Sequence, residues 1–314
     1  MKILIIGAGA VGTYFGAALA MAGHQVTFGV RDASKSSIDR EGLLLTGPRG
    51  EFPVRGVSHT SDPRTAIDMD IVLSTVKLYD AASSARQWRV SLESSGVAIC
   101  LQNGVDGVER MLMSAPDSTA IGGIAFVSGS SNSSGKVKYL SDMSSLTVGT
   151  TTIEKNATLK AFVESFANAP NPLNVRIEQT EDIRLAQWQK FLALATNAAL
   201  TCLVRLGAGA IYHDPTLIEL ARRSIREIFD VGRAEGVPLS YADKEFAVEM
   251  LQGLPADMVA SMHHDLLSGR RLELDGLSGH ICRRGRVHNI PTPFHDFAYG
   301  CLKPHMDGGS TGLF

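Results

Sequence analysis

At 314 residues the chain is long enough for two domains of ordinary size, each with its own core. Hydrophobic content of 44% and charged content of 20% exclude a disordered or collagen-like chain, and a formal net charge of −2 leaves no electrostatic footprint for nucleic acid. Cys100, Cys202, Cys282 and Cys301 stand too far apart for a zinc or disulfide framework, and no run approaches the ~18 apolar residues of a membrane span, so a cytoplasmic protein is expected.

Lys2-Ile-Leu-Ile-Ile6 is apolar, mostly β-branched and bounded by Gly7, the signature of a strand buried on both faces. A helix over Val11 to Ala22 follows, stopped at Gly23. Between strand and helix lies GAGAVG, with glycines at 7, 9 and 12. In a dinucleotide-binding turn the first glycine makes the bend and the second lets the backbone approach a pyrophosphate. The third lets the helix pack on the sheet. Ala10 and Val11, at the helix start, supply free N–H groups and the positive end of the helix dipole. A Gly-x-Gly-x-x-Gly pattern alone is weak in a chain with 31 glycines; its strand–turn–helix setting is what predicts a cofactor site.

The second strand, Gln25 to Val30, ends in Arg31-Asp32. An arginine at this point accommodates the 2′-phosphate of NADP, whereas an acidic residue accepts from the ribose 2′-OH of NAD. Arg31 predicts NADPH, and Asp32 keeps NAD open. Further strand-like runs are Asp70–Val76, Gly96–Leu101 and Thr119–Val127. Lys77 and Asn103 follow the first two, at the carboxyl ends of parallel strands where open α/β sheets bind ligands. Gly135–Leu140 with Ser145–Gly149 reads as a hairpin added to the same sheet. Residues 1–178 are therefore expected to form a Rossmann-type, doubly wound α/β domain.

Residues 179–314 read as an all-helical domain broken at Gly207, Gly236-Val-Pro238, Gly253-Leu-Pro255, Gly269 and Pro291-Thr-Pro293, with a mobile tail over Asp307–Gly312. Its most unusual helix carries Lys190, Asn197 and Thr201. At about 100° per residue, Asn197 and Thr201 fall within about 20° of Lys190. Such a polar stripe either faces a cavity or lets the lysine snorkel to water. Ser261 and Glu273 flank Gly269 and are unremarkable by themselves. His263, His264 and Asp265, adjacent on a helix, point apart and form no metal site.

GAGAVGTYFG, STVK ending at Lys77, LQNGV around Asn103, WQKF with Lys190, and ASMHHDLLSGRRLELDG with Ser261 and Glu273 occur in order and at compatible spacing. Over residues 1–303 this set resembles the ketopantoate reductase family. The resemblance implies a Rossmann domain and a helical domain, and reduction of a 2-oxo acid to a 2-hydroxy acid. It implies that Lys190 is the general acid, that Ser261 and Glu273 help form the substrate site, and that Lys77 and Asn103 lie beside the cofactor. Glu273 is expected to serve catalysis by orienting the Lys190 ammonium or holding a substrate hydroxyl, and Asn103 and Asn197 are expected to contact the substrate. It departs where pantoate-forming members usually carry asparagines: here stand Leu194, Ala198 and Met258. Asn197, on the lysine's own stripe, is the available substitute.

The expected reaction is hydride transfer from a nicotinamide to the keto carbon of 2-dehydropantoate or a similar branched acid. A D-2-hydroxy-acid dehydrogenase acting on a less polar substrate is the first alternative, and a nicotinamide-binding regulator without catalysis is the second. A homodimer is expected because related reductases often dimerise.

Overall fold

The computed structural model describes residues 1–131, 136–140, 144–149, 156–167 and 169–309. The chain divides into two compact units, one of residues 1–102 with 106–183 and one of residues 103–105 with 184–314. Gly135, and residues 310–312 of the expected tail, lie outside the described residues.

In the first unit strands and helices alternate: β1 (Lys2–Ile6), α1 (Ala10–Met21), β2 (Gln25–Gly29), α2 (Asp32–Glu41), β3 (Leu43–Gly47), β4 (Gly50–Val54), β5 (Ser58–Thr60) and β6 (Ile71–Ser74). There follow α3 (Ala81–Gln87), α4 (Arg89–Ser94), β7 (Val97–Cys100), α5 (Gly107–Leu112) and β8 (Ala120–Phe126). β9 (Gly129–Ser131), β10 (Lys136–Tyr139), β11 (Ser145–Gly149), α6 (Asn156–Ala167) and β12 (Arg176–Thr180) complete it. The main sheet runs β12-β11-β8-β7-β6-β1-β2-β5. Its six strands β5, β2, β1, β6, β7 and β8 are parallel. Numbered among themselves they follow the order 3-2-1-4-5-6, the doubly wound dinucleotide arrangement. The order reverses between β1 and β6, so the carboxyl ends of those two strands flank the crevice where such sheets take ligands.

Strand alternation explains why both faces are covered. On β1, Ile3 and Ile5 join a core with α1 and α6, through Phe15, Leu19, Phe162 and Phe166. Leu4 and Ile6 point the other way into a core with Ala85, Leu92 and Met111 of α3, α4 and α5. All four β1 side chains are at most 2% exposed, and each contributes about 2 kcal/mol of transfer free energy.

The expected hairpin is not formed. β11 joins the main sheet, antiparallel to β8 and parallel to β12. β10 instead enters a second sheet of order β4-β3-β10-β9, parallel to β3. The alternation of exposed Lys136 and Lys138 with buried Val137 and Tyr139 fits either sheet. What separates them is tertiary: Tyr139 lies on Gly47 of β3 and accepts a hydrogen bond from the Arg49 N–H.

The second unit is helical: α7 (Ile183–Val204, its first residue counted with the first unit), α8 (Ala208–Tyr212), α9 (Pro215–Ala234), α10 (Tyr241–Gln252), α11 (Ser261–Leu267), α12 (Ser278–His288) and α13 (Pro293–Leu302). Its breaks fall where the sequence puts them. Gly207 caps α8, Gly236 turns the chain left-handed after α9, and Gly253 caps α10. Gly269 is left-handed after α11, and Pro293 opens α13. Among the described residues no helix is long and apolar enough to cross a membrane.

Candidate active site

Two groups of residues carry chemistry, one in each unit. In the first unit the turn between β1 and α1 is built for close approach. Gly7 takes φ +104°, and its N–H donates to Gly29 O of the neighbouring strand at 2.9 Å. A β-carbon on Gly12 would stand 2.0 Å from the Gly7 carbonyl oxygen and 2.5 Å from Thr75 Oγ1, so only glycine fits. A β-carbon on Gly9 would meet nothing within 4 Å, which leaves the space above the turn open.

Gly9 caps α1 without a side-chain hydrogen bond, and the first turn holds no acidic residue. Thr13 N–H closes the first intrahelical bond, to Gly9 O. The N–H groups of Ala10, Val11 and Gly12 therefore stand at the helix start without intrahelical acceptors, beside the positive end of the dipole. An open floor, unused donors and no competing carboxylate fit the pyrophosphate of a dinucleotide.

Thr75 is a residue that sequence reasoning passed over. It follows β6, and its hydroxyl lies 2.9 Å from both Ile6 O and Gly7 O, fastening the glycine turn to the strand across the switch point. Lys77 comes two residues later, half-buried, as the cap of a short 3-10 turn over Leu78–Asp80. Arg31 and Asp32 are both exposed. Arg31 caps α2 and Asp32 is its first residue, so cation and carboxylate stand side by side at one helix start.

The second group centres on α7. Lys190 is half-buried, and its ammonium donates to Asn103 Oδ1 at 3.2 Å. Burial lowers the Lys190 pKa to about 8, against the opposing pull of the Glu273 carboxylate, which favours the charged form. Glu273 is itself buried, beside a 3-10 turn that leads into α12. The structure thus brings together Lys190, Asn103 and Glu273 from three separate stretches of chain.

Asn197 lies two turns along the same face of α7. Its backbone oxygen accepts from Thr201 Oγ1 at 2.6 Å, and its side-chain oxygen accepts from the buried Tyr212 hydroxyl at 2.8 Å. Thr201 Oγ1 in turn accepts from Ala260 N–H at 3.4 Å, which sets the start of α11, and with it the exposed Ser261, at the far end of the stripe. Leu194 is half-buried, Ala198 is buried and Met258 is half-buried. Tyr212 could not be singled out from sequence, because a tyrosine in a short apolar helix reads as core.

Comparison with known proteins covers both units. The description "Ketopantoate reductase PanE/ApbA" matches residues 3–152, and its C-terminal counterpart matches residues 182–306. A 2-dehydropantoate 2-reductase of Caulobacter vibrioides is 32% identical over 93% of this chain and 94% of its own length. The crystal structure of a PanE/ApbA family ketopantoate reductase from Ralstonia eutropha superposes with a TM-score of 0.83 at 29% identity, covering 98% of each chain. The fold is also that of a D-mandelate dehydrogenase solved with NADH and anilino(oxo)acetate, at a TM-score of 0.86 and 19% identity over 98% of each chain. With residues 3–152 and 182–306 both matched, the chain belongs to the ketopantoate reductase family of oxidoreductases.

Proposed function

We propose that this protein catalyses the NADPH-dependent reduction of a 2-oxo acid, 2-dehydropantoate or a similarly branched acid, to the 2-hydroxy acid. The observation that carries the proposal is Lys190: a half-buried ammonium oriented by Asn103 and kept charged by Glu273. A bound nicotinamide supplies the hydride from its C4. The protein's own work is at the substrate oxygen. As negative charge grows there, the Lys190 ammonium stabilises it by a charge-assisted hydrogen bond and then releases its proton to it. Asn103 accepts one N–H of the ammonium and so fixes the direction of the others. Glu273 opposes the burial that favours loss of the Lys190 proton. Ser261 and Asn197 offer polar contacts to the rest of the substrate.

The pH dependence follows from the direction of the Lys190 shift. The protonated amine is the active form for reduction, so kcat/KM should be flat below about pH 8 and fall about tenfold per unit above it. Oxidation of the 2-hydroxy acid should show the opposite limb. A reduction profile that stays flat to pH 10 would remove Lys190 from the acid role.

For the cofactor, the support is Arg31 at the end of β2, with a guanidinium suited to bidentate recognition of a 2′-phosphate. Asp32 beside it keeps NADH as a second substrate. Arg31→Ala should raise the KM for NADPH by about tenfold or more and move the KM for NADH much less. Equal effects on both cofactors would show that Arg31 does not read the phosphate.

A second reading, a D-2-hydroxy-acid dehydrogenase on a less polar substrate, is favoured by Leu194, Ala198 and Met258 at the asparagine positions. A non-catalytic nicotinamide-binding regulator is disfavoured by the presence of both Lys190 and Glu273. Oxidation of NADPH and NADH, followed by absorbance against a panel of 2-oxo acids that includes ketopantoate, tests all three. Turnover of ketopantoate supports the main proposal, and turnover only of apolar acids supports the second. Cofactor binding without turnover of any 2-oxo acid leaves the regulator.

A further inference from the structure

From Lys190 to Cys202, α7 is buried everywhere except at Lys190, Leu194 and Asn197, which are half-buried. The spacing i, i+4, i+7 puts these three on one stripe, so this is the face of the helix that a ligand can reach. It begins with a cation, continues with an apolar side chain and ends with an amide.

The amide has one available orientation. Tyr212 is buried and its phenol, pushed well above the usual range by burial, stays protonated. A buried O–H needs an acceptor, and Asn197 Oδ1 supplies it at 2.8 Å. Turning the amide over would let its N–H donate to the phenol oxygen but leave the buried phenol proton without this acceptor. Asn197 therefore presents its two N–H donors on the accessible side, and donors select acceptors. Thr201 adds none, because its hydroxyl is spent on Asn197 O.

The distance along the helix decides which part of a substrate can meet that amide. Seven residues at about 1.5 Å each separate Lys190 and Asn197 by roughly 10 Å, and the lysine side chain leans toward the helix N-terminus, away from Asn197. The carboxylate of a 2-oxo acid adjoins the carbonyl that Lys190 protonates and is too close to span that gap. A remote group is not.

We propose that Asn197 determines specificity by hydrogen-bonding an oxygen at the far end of the substrate, which makes the substrate a 2-oxo acid with an apolar middle lying along Leu194 and an oxygen acceptor remote from the keto group. This rests on the reading that the protein reduces a 2-oxo acid. Matched pairs test it: phenylpyruvate against 4-hydroxyphenylpyruvate, and 2-oxohexanoate against 2-oxoadipate. The wild-type enzyme should favour the oxygen-bearing member of at least one pair by about tenfold in kcat/KM. Asn197→Asp keeps the shape and the acceptor for Tyr212 but deletes both N–H donors, and should bring that ratio to about one or below. Asn197→Ala, which also deletes the donors, should do the same, guarding against an effect peculiar to the new charge.

A wild-type ratio near one in both pairs overturns the inference while leaving the proposed reaction standing. A ratio that survives in both variants assigns the preference to other residues and overturns it too. Failure of the wild type to turn over any 2-oxo acid overturns the proposed reaction and this inference together.

Discussion

Lys190→Ala should lower kcat by about two or more orders of magnitude, the scale on which a positioned acid and its electrostatic stabilisation act. The Kd for NADPH should change little, because the glycine turn and Arg31 belong to the other unit of the fold. A collapsed fold is separable from a lost acid by two further measurements. Lys190→Met replaces a desolvated amine by an apolar side chain of similar length and should melt at or above the wild-type temperature. Small primary amines added to Lys190→Ala should restore part of the turnover, with a rate that rises with the protonated amine concentration. Lys190→Arg should stay slow, since a guanidinium does not release its proton near neutrality. Wild-type turnover in Lys190→Ala would withdraw the mechanism.

The second large effect is expected at the glycine turn, where two neighbouring glycines should behave differently. Gly12→Ala drives a β-carbon into the Gly7 carbonyl and the Thr75 hydroxyl, neither of which is the free end of a flexible side chain. The turn must shift, at a cost of about 1–3 kcal/mol in stability, and cofactor affinity should fall more than about tenfold as the N–H groups lose their common aim. Gly9→Ala enters open space at an ordinary extended backbone conformation, so stability should move by no more than about 0.5 kcal/mol. Cofactor affinity should nonetheless drop, because the new methyl occupies the floor on which a pyrophosphate would lie. Thermal melts paired with cofactor titration of both variants check the contrast. Equal losses of stability would mean that the open space at Gly9 is not what sets its identity.

Legibility in the sequence followed physical cause. β1, β6 and β7 were readable because strands buried on both faces must be continuous apolar runs. The second sheet was not. β4 is Gly-Glu-Phe-Pro-Val, largely exposed and interrupted by Pro53, and β9 is Gly-Ser-Ser, so neither carries a period to detect. β10 showed its alternation plainly but not its partner, because alternation specifies a buried face and not which sheet supplies it.

The site divides the same way. The stripe of Lys190, Asn197 and Thr201 is helix arithmetic, and α7 carries all three residues. The meeting of Lys190 with Asn103, 87 residues away in sequence, depends on tertiary structure, which no helix or strand period encodes. Tyr212 and Thr75 act by holding other residues in place, a role that leaves no pattern in a single sequence.

The shared hydroxyl of Thr75 bears on how far the glycine motif can travel. One proton serves two carbonyl oxygens, one on β1 and one inside the bend, and its donor directly follows a strand that arrives much later in the chain. A first strand, turn and helix transplanted into another scaffold would import the glycines but leave the clasp behind. The loop would then be free to open. Grafts that also carry a threonine at the end of the adjoining strand should hold their shape where the bare motif does not.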